Sequence, residues 1–484
     1  MNFHIIKKTI GWILIFEALF FFVPILTALI YREKEVWDFL ICAGIAAAVG
    51  GVLVIGKVKN NAIYTKEGFV IVALSWIVMS LFGALPFYIS RCIPSYVDAL
   101  FETVSGFTTT GASILPSGEA IEALPKCMLM WRSFTHWVGG MGVLVFILAF
   151  LPLSGGRNIN IMKAESPGPT VSKLVPRIRS TAGILYLIYA ALTVLQFILL
   201  LFSMPVFDAL TTAFATAGTG GFSVKGDSLA GYSTYSQIVV TVFMVLFSIN
   251  FASFYLILCG RLKEAFNTEV RVFLGIVIAA IALITLNLCF TQSEAYGYSV
   301  GEALKHSAFS VASVISTTGF ATADFNLWPA FSKSILVLLM FIGACAGSTG
   351  GGIKVSRVVV LYKGMTHEMK RMLRPRQVKK ITVDGRIVEH EVVRSISWYL
   401  IAYIAIYIVS LFLISLDCQD MTTNFTAVAA TFNNIGPGLG LVGPSGNFTF
   451  YTWFSKLVFI FDMLAGRLEI FPMLLLFAPS TWRK

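Results

Sequence analysis

Four short segments of this chain end in a turn of small residues built around a glycine, and the turns recur at nearly regular intervals. From Gly111 the next such glycine follows after 110 residues at Gly221, then after 98 at Gly319 and after 117 at Gly436. Internal repetition of this kind predicts four structurally related units in one polypeptide. The turns read Thr109-Thr110-Gly111, Thr219-Gly220-Gly221, Thr317-Thr318-Gly319 and Asn434-Ile435-Gly436.

The composition places these units in a membrane. Hydrophobic residues make up 57% of the 484 residues, charged residues make up 13%, and the mean hydropathy is +0.81. Soluble domains carry about twice that charged fraction. The first apolar run is too long for the core of a signal peptide, and a second run follows it almost at once. We therefore expect a retained membrane helix at the start of the chain.

Ten apolar runs are long enough to cross a bilayer. They cover residues 11–31, 37–56, 69–90, 128–153, 184–202, 238–258, 272–290, 335–362, 396–416 and 454–477. The sequence therefore predicts an all-α membrane protein with ten transmembrane helices and four re-entrant pore loops. The eighth run is interrupted by glycines.

Basic residues indicate which side of the membrane faces the cytoplasm. An even number of spans puts both termini on one side, and loops on that side hold 26 of the 36 Lys and Arg residues. The positive-inside rule makes that side cytoplasmic, so the four glycine turns face outside. The net charge of +11 is explained by this topology and by anionic lipid headgroups, without nucleic acid as a partner.

The spans after the first two form four pairs, and each pair encloses one short helix and one glycine turn. The predicted divisions are 1–66 for two additional N-terminal helices, then 67–180, 181–268, 269–392 and 393–484 for four pore repeats, the third containing a gating loop. Because each repeat crosses twice, a pseudo-fourfold rotation about the membrane normal can relate them. A short helix of about 12 residues is roughly 18 Å long and must dip in and return.

The turns have the chemistry of a site for an alkali cation. Helix C-termini carry partial negative charge, and four of them ending at mid-depth would aim it at one point. Glycine permits unusual backbone angles, and threonine adds hydroxyl oxygens, so uncharged oxygen ligands favour K⁺ over an anion. Close helix packing is the alternative for any single turn. Acids at or near the short-helix starts fit the same orientation: Asp98, Asp208, Glu302 and Asp420.

The eighth apolar run contains the string Gly347-Ser348-Thr349-Gly350-Gly351-Gly352. Each glycine costs roughly 1 kcal/mol in a helix interior, which disfavours a continuous helix. Ile353 follows where a phosphate-binding loop requires lysine. Two interpretations remain: a mobile strip of backbone that gates the pore, or a tight helix crossing.

Two ionisable residues inside predicted spans have two interpretations each. A charge at the position of Arg467 faces a cavity or a partner. Arg467 is therefore either ion-paired with Asp462 or Glu469, or a fixed positive charge on the ion path beside the glycine strip. For His136 we expect a packing role with satisfied hydrogen bonds rather than ion ligation.

Six strings of this sequence resemble the Trk/Ktr/HKT superfamily of potassium transporters, most closely its bacterial TrkH/TrkG branch. The strings are SGFTTTGAS (105–113), WRSFTHWVGGMG (131–142), GGFS (220–223), STTGFATADFNLWP (316–329), GACAGSTGGGIK (343–354) and NNIGPGLG (433–440). The resemblance covers nearly the whole chain, including the two additional N-terminal spans.

The resemblance implies a K⁺ uptake pore, also open to Rb⁺, in the bacterial cytoplasmic (inner) membrane, without an organic cofactor. It implies a homodimer, one filter glycine in each loop, an intramembrane gating loop and Arg467 in the pore. Relatives with serine in place of the first glycine tend to admit Na⁺, so Gly111 favours K⁺. The second loop, at residues 215–219, departs from the usual pattern.

The segment 354–380 is strongly basic and leaves the broken helix directly. One interpretation is that its charge reflects the membrane topology and contact with lipid headgroups. The resemblance implies a second interpretation, a docking surface for a cytoplasmic nucleotide-binding regulatory subunit of the RCK type (TrkA-like). No strand, glycine-rich turn and helix of a nucleotide-binding fold occurs in this chain.

Two other functions remain as alternatives to a K⁺ uptake pore. One is a Na⁺-permeable or cation-coupled K⁺ symporter of the same architecture. The other, an enzyme, is disfavoured because the five histidines are dispersed and the seven cysteines contain no C-x-x-C pair.

A disulfide between Cys92 and Cys127 on the outer face is the alternative to free thiols.

Overall fold

The computed structural model of the chain describes residues 1–55, 65–116, 118–142, 178–291, 297–374 and 380–482. Within these ranges nearly all regular structure is helical, and the helices are apolar enough for an integral membrane protein. By length and composition six of these helices could cross a membrane, or seven if a pair bent by 93° counts as one span. The six are Phe3–Tyr31, Val36–Val54, Lys66–Ile89, Ala182–Leu200, Thr268–Phe290 and His390–Asp417.

An apolar helical hairpin opens the chain. Helices α1 (Phe3–Phe20) and α2 (Phe22–Tyr31) follow one another as one span, and α3 (Val36–Val54) returns against α1. Gly11 and Gly50 meet at the crossing, where a Cβ added to either would lie within 3.0 Å of the carbonyl oxygen of the other. The small residues therefore let the two backbones approach closely.

The described residues after the hairpin are grouped here into four units, each with a long first helix, a short helix and a second helix. Unit one contains α4 (Thr65–Gly83), α5 (Leu85–Ile89), α6 (Tyr96–Phe107), α7 (Gly118–Glu122) and α8 (Lys126–Gly140). Unit two contains α9 (Ile178–Leu200), α10 (Val206–Gly218), α11 (Thr234–Phe247), α12 (Phe251–Leu258) and α13 (Leu262–Ala265).

Units three and four add short turns and one hairpin to this plan. Unit three contains α14 (Thr268–Phe290), α15 (Val300–Ile315), a 3₁₀ turn (Phe325–Leu327), α16 (Ala330–Ile342), α17 (Val355–Leu373), β1 (Thr382–Val383) and β2 (Arg386–Ile387). Unit four contains α18 (His390–Ile414), 3₁₀ turns (Ser415–Asp417 and Gly440–Val442), α19 (Met421–Phe432), α20 (Trp453–Arg467), α21 (Phe471–Phe477) and α22 (Pro479–Trp482). Strands β1 and β2 pair antiparallel, with Thr382 opposite Ile387.

The short helices α6, α10, α15 and α19 have 12, 13, 16 and 12 residues. At ~1.5 Å per residue none of them reaches across a hydrocarbon core of ~30 Å. An acid lies in the first turn or at the N-cap of each, as the sequence predicts. Hydrogen bonds from the backbone and side chain of Ser299 lower the pKa of Glu302 and complete a capping box at the start of α15.

Each short helix packs against the second helix of the preceding unit. Helix α10 packs against α8, α15 against α11, α19 against α16, and α6 against α20. The last of these contacts joins unit four back to unit one. The four units therefore follow one another in a closed cyclic order.

Second helices are less regular than the sequence predicts. The predicted span 238–258 is bent by 93° between Phe247 and Phe251. The Asn250 side chain accepts a hydrogen bond from the Ala252 amide at 2.9 Å and so caps α12 as a new helix. The hydropathy of the run predicts its extent but not this bend, because hydropathy does not register a cap inside an apolar run.

The predicted span 454–477 is also broken, after Arg467. Glu469 and Ile470 have φ values of 54° and 71°, and Pro472 lies in the first turn of α21. Proline can begin a helix but removes a donor needed to continue one. Of the predicted span 128–153, the structure describes α8 and the two residues after it, and the rest lies outside the described residues.

Candidate ion site and gate

The four glycine turns share one backbone conformation at their first residue. Thr109, Thr219, Thr317 and Asn434 have φ between 55° and 59°, a left-handed region that β-branched residues rarely enter. In each turn the next amide donates to the carbonyl six residues before the glycine. These bonds are Thr110 to Ser105 and Gly220 to Ala215 at 2.9 Å, Thr318 to Ser313 at 2.9 Å and Ile435 to Ala430 at 2.8 Å.

The second turn differs from the others at its glycine. Gly111, Gly319 and Gly436 have φ of 77°, 84° and 97°, whereas the φ of Gly221 is not positive. Only glycine enters the positive region freely. The departure falls in the loop whose sequence already differs from the family pattern.

The turns lie against one another in a ring. A Cβ added to any one of the four glycines would come within 3.0 Å of a backbone atom in the next turn. The contacts run from Gly111 to Gly221, from Gly221 to Thr318, from Gly319 to Ile435 and from Gly436 to Thr110. The Asn434 amide also donates to the Thr110 hydroxyl at 3.0 Å and links unit four to unit one. All twelve turn residues predicted as ion ligands therefore belong to turns that meet around one point.

A cavity lies against this ring. Its volume is about 100 Å³, and all four glycines Gly111, Gly221, Gly319 and Gly436 line it. The segments that follow each turn complete its wall.

The glycine strip forms an irregular loop between α16 and α17, over residues 343–354. Gly351 donates its amide to the Thr317 hydroxyl at 2.6 Å. A Cβ added to Gly351 would collide with the Asn433 carbonyl of unit four. The loop therefore lies directly against the third and fourth turns. Because residues 343–354 are not helical, the structure does not form the tight helix crossing that was the alternative interpretation.

The predicted loop residues divide between buried and accessible positions. Thr349, Gly350 and Gly351 are buried, Ser348 and Gly352 are half-buried, and Gly347 is exposed. The Gly347 carbonyl accepts a hydrogen bond from Phe251 at 3.0 Å. The strip thus spans from the turns to the bend of unit two.

Arg467 contacts the glycine strip. Its guanidinium donates to the Thr349 carbonyl at 2.7 Å and to the Gly140 carbonyl at 2.6 Å. It therefore bridges the strip of unit three and the end of α8 in unit one. Of the two acids considered as its partners, Asp462 accepts from Ser410 at 2.6 Å, and Glu469 pairs with Arg357. These contacts favour a fixed charge beside the strip over an ion pair as its main role.

His136 lies behind the second turn. Its Nδ1 donates to the Gly106 carbonyl at 2.7 Å, and its Nε2 accepts from the Phe222 amide at 3.3 Å. Both ring nitrogens are satisfied, as expected for a packing histidine.

Cys92 and Cys127 are free, so the alternative disulfide between them is not formed.

The basic segment 354–380 does not begin as a free surface. Lys354 is buried, and its ammonium donates to the Gly350 carbonyl. Arg357 is buried too and pairs with Glu469. These first two charges therefore hold the loop, and the docking of a regulatory subunit along the segment stays a prediction. The exposed basic residues begin farther along α17.

Sequence reasoning missed two residues that hold this region. Glu269, in the first turn of α14, accepts from the Ala346 amide at 2.6 Å and from the Ser356 amide at 3.1 Å. It therefore grips both ends of the glycine strip. Asn433 accepts from the Tyr403 hydroxyl at 2.8 Å. The sequence shows Glu269 only as an acid at the edge of a long apolar run. Such an acid also fits an ordinary helix start, so its contact with the glycine strip was not predicted.

Known proteins match this chain over its full length. A family described as "TrkH: Cation transport protein" matches residues 38–484. The Trk system potassium uptake protein TrkH of Salmonella typhimurium is 36% identical, with 100% of both chains covered. TrkG of Escherichia coli strain K12 is 32% identical, with 99% of both covered.

A solved structure matches as well. The crystal structure of the potassium transporter TrkH from Vibrio parahaemolyticus superimposes with a TM-score of 0.89, at 32% identity and with 100% of both chains covered. The resemblance drawn from the motifs is confirmed, as is the expectation of a transporter rather than an enzyme. This chain belongs to the TrkH family of cation transport proteins.

Proposed function

We propose that this chain takes up potassium across the bacterial cytoplasmic membrane through the ring of four glycine turns. The observation that carries the proposal is the closed order of contacts from Gly111 through Gly221 and Gly319 to Gly436. The names of relatives that are potassium uptake proteins support the choice of ion.

The ion is held by oxygen atoms of the turns and loses its water as it enters the ring. Backbone carbonyls replace the hydration shell in such filters. The C-termini of the four short helices add partial negative charge near the ring. The proposed ligands are Thr109, Thr110, Gly111, Thr219, Gly220, Gly221, Thr317, Thr318, Gly319, Asn434, Ile435 and Gly436. Rb⁺ passes by the same route, and no organic cofactor takes part.

The architecture that fits this role has ten transmembrane helices, four re-entrant pore loops and a pseudo-fourfold axis. Both termini face the cytoplasm and the turns face outside. The short helices and their cyclic packing support this arrangement, as does the excess of basic residues in the loops of one side.

The glycine strip and Arg467 form the gate on the cytoplasmic side of the ring. The hydrogen bonds from Gly351 to Thr317 and from Arg467 to Thr349 hold the strip against the turns. Opening breaks these bonds and moves the strip aside. The residues that move are Gly347, Ser348, Thr349, Gly350, Gly351 and Gly352.

The working assembly is a homodimer bound to a cytoplasmic nucleotide-binding regulatory subunit of the RCK type. The exposed basic residues of α17 offer that subunit a charged face, since Lys370 and Arg371 lie in the last turn of this helix. Helix α17 starts directly after the glycine strip, so a pull on it reaches the gate.

Rubidium flux into liposomes containing the purified protein tests the proposal. A negative interior supplies about 2.3 kcal/mol per charge for each 100 mV. We expect Rb⁺ uptake that K⁺ suppresses and that equal Na⁺ leaves nearly unchanged. Na⁺ passing as fast as Rb⁺ would refute potassium selectivity. Uptake that requires a proton or sodium gradient instead of a potential would support the cation-coupled alternative.

A further inference from the structure

A buried ion pair lies behind the ring in unit one. The Arg132 guanidinium of α8 is 2.8 Å from the Glu102 carboxylate of α6, and the two side chains are 2% and 0% exposed. A buried pair of this kind is costly to desolvate and is weak evidence for stability. Its position relative to the turns suggests another use.

The two partners hold different turns. Glu102 accepts from the Ile114 amide at 2.9 Å and from the Ser113 hydroxyl at 3.1 Å, so it anchors the backbone just after Gly111. Arg132 reaches the backbone just after Gly221. It donates to the Ser223 carbonyl at 3.2 Å, and its guanidinium carbon lies 4.1 Å from the centre of the Phe222 ring.

The pair thus joins two quadrants of the ring through one contact. The Ser113 hydroxyl adds a further link, because Arg132 donates to it at 3.4 Å. Arg132 also lines the cavity against which all four glycines lie.

The charges occur in one unit of the four. Nine residues before the turn glycine, where unit one has Glu102, the other units have Thr212, Ser310 and Ala427. Twenty-one residues after the glycine, where unit one has Arg132, they have Val242, Met340 and Leu457. The turn that Arg132 grips is the second, whose glycine departs from the shared backbone conformation.

We propose that the Glu102–Arg132 ion pair is a positioning element that sets the discrimination between K⁺ and Na⁺. By fixing the spacing of the first and second turns, it prevents the ring from contracting around the smaller ion. The second turn, whose glycine departs from the shared backbone conformation, is one of the two turns that the pair holds. This inference rests on the proposed potassium uptake.

The test uses the full chain in liposomes and compares Na⁺ with Rb⁺ flux. Glu102→Gln keeps the size of the side chain but leaves the Arg132 charge unbalanced. The expected result is a rise of about tenfold in the Na⁺/Rb⁺ flux ratio, equivalent to about 1.4 kcal/mol between the two barriers. Asp98→Asn is the matched control, since it breaks the 2.8 Å pair with Lys456 at the outer start of α6. The control should leave the ratio unchanged.

The flux ratios of the variants test the role of the ion pair, and the flux ratio of the unaltered protein tests potassium uptake. A folded Glu102→Gln protein with the original flux ratio overturns the inference, whatever happens to its thermal stability. If this variant does not fold, Arg132→Lys keeps both charges but loses the guanidinium that reaches Ser223 and Phe222, and it should still raise the ratio severalfold. An unchanged ratio in that variant also overturns the inference. An unaltered protein that does not prefer Rb⁺ would instead refute the proposed potassium uptake itself.

Discussion

Gly111 meets two demands at one position. Its φ is 77°, and a Cβ there would come within 3.0 Å of the Gly221 backbone. Either demand alone excludes most side chains. Together they explain why the first turn ends in glycine, independently of any family pattern.

Replacing this glycine should therefore disturb ion discrimination. Gly111→Ser strains the turn by about 1–3 kcal/mol and adds a side-chain oxygen, so we expect Na⁺ flux relative to Rb⁺ to rise about tenfold or more. The ratio is measured by tracer uptake into liposomes. Gly44→Ser is the control, because a Cβ at Gly44 meets nothing within 4 Å. Identical ratios in the two variants would count against the ring as the filter.

Replacing Arg467 should change the rate of ion flux. Its guanidinium bridges the Thr349 and Gly140 carbonyls, so Arg467→Ala removes both a positive charge and a tether of the strip. We expect Rb⁺ flux to increase severalfold, since a cation in a partly desolvated path is repelled by a nearby positive charge. Arg467→Lys keeps the charge and should remain close to the original flux. Lower flux in Arg467→Ala at normal expression would favour a purely structural role.

The sequence predicts the turn glycines well and the charges around them poorly. Four glycines at similar intervals carry their own signal through repetition. Glu102 and Glu269 belong to no repeated pattern in the sequence, and a single acid near an apolar run has several ordinary explanations. Only distances to Ile114, Ala346 and Ser356 reveal what these acids hold.

At the scale of elements, the glycine strip is held at both ends by one side chain. Glu269 accepts from Ala346 before the strip and from Ser356 after it. A neutral amide accepts these hydrogen bonds more weakly than a carboxylate, which forms bonds about twice as strong. Weakening the hydrogen bonds of Glu269 should therefore loosen the glycine strip without changing the ring of turns.

Glu269→Gln should raise the fraction of time that the pore is open. We expect a severalfold increase in Rb⁺ flux with an unchanged Na⁺/Rb⁺ ratio, because the ring is left intact. Glu264→Gln is the control, since Glu264 forms an exposed ion pair with Arg261. A changed ratio with unchanged flux would show that Glu269 acts on the ring and not on the gate.

Element boundaries show where hydropathy stops being informative. Apolar content places the runs at 238–258 and 454–477, yet the structure breaks both. The causes are a cap at Asn250 and left-handed residues before Pro472. Such local features leave the mean hydropathy of a run unchanged, so a sum over residues does not detect them.

At the scale of the whole molecule, two native cysteines test the proposed orientation. Cys259 follows α12 and Cys418 precedes α19, and both are exposed. In sealed cells a membrane-impermeant thiol reagent should label Cys418 from outside and reach Cys259 only after the cells are opened. Cys418→Ser and Cys259→Ser identify each signal. Labelling of Cys259 in sealed cells would invert the proposed topology.

The closed order of the four units follows from features that no single segment displays. The sequence predicts that the units are related, because their turns recur. It does not identify the helices that make the contacts between units, such as α6 against α20. These contacts join residues more than 300 positions apart, as the bond from Asn434 to Thr110 illustrates.

Density for a heavy alkali ion tests the central claim most directly. The protein is prepared in Rb⁺, and anomalous scattering locates the ion. Potassium uptake through the ring predicts a peak enclosed by the turns of Gly111, Gly221, Gly319 and Gly436, weakened by added K⁺ and not by equal Na⁺. Rubidium bound only elsewhere, with an empty ring, would contradict it.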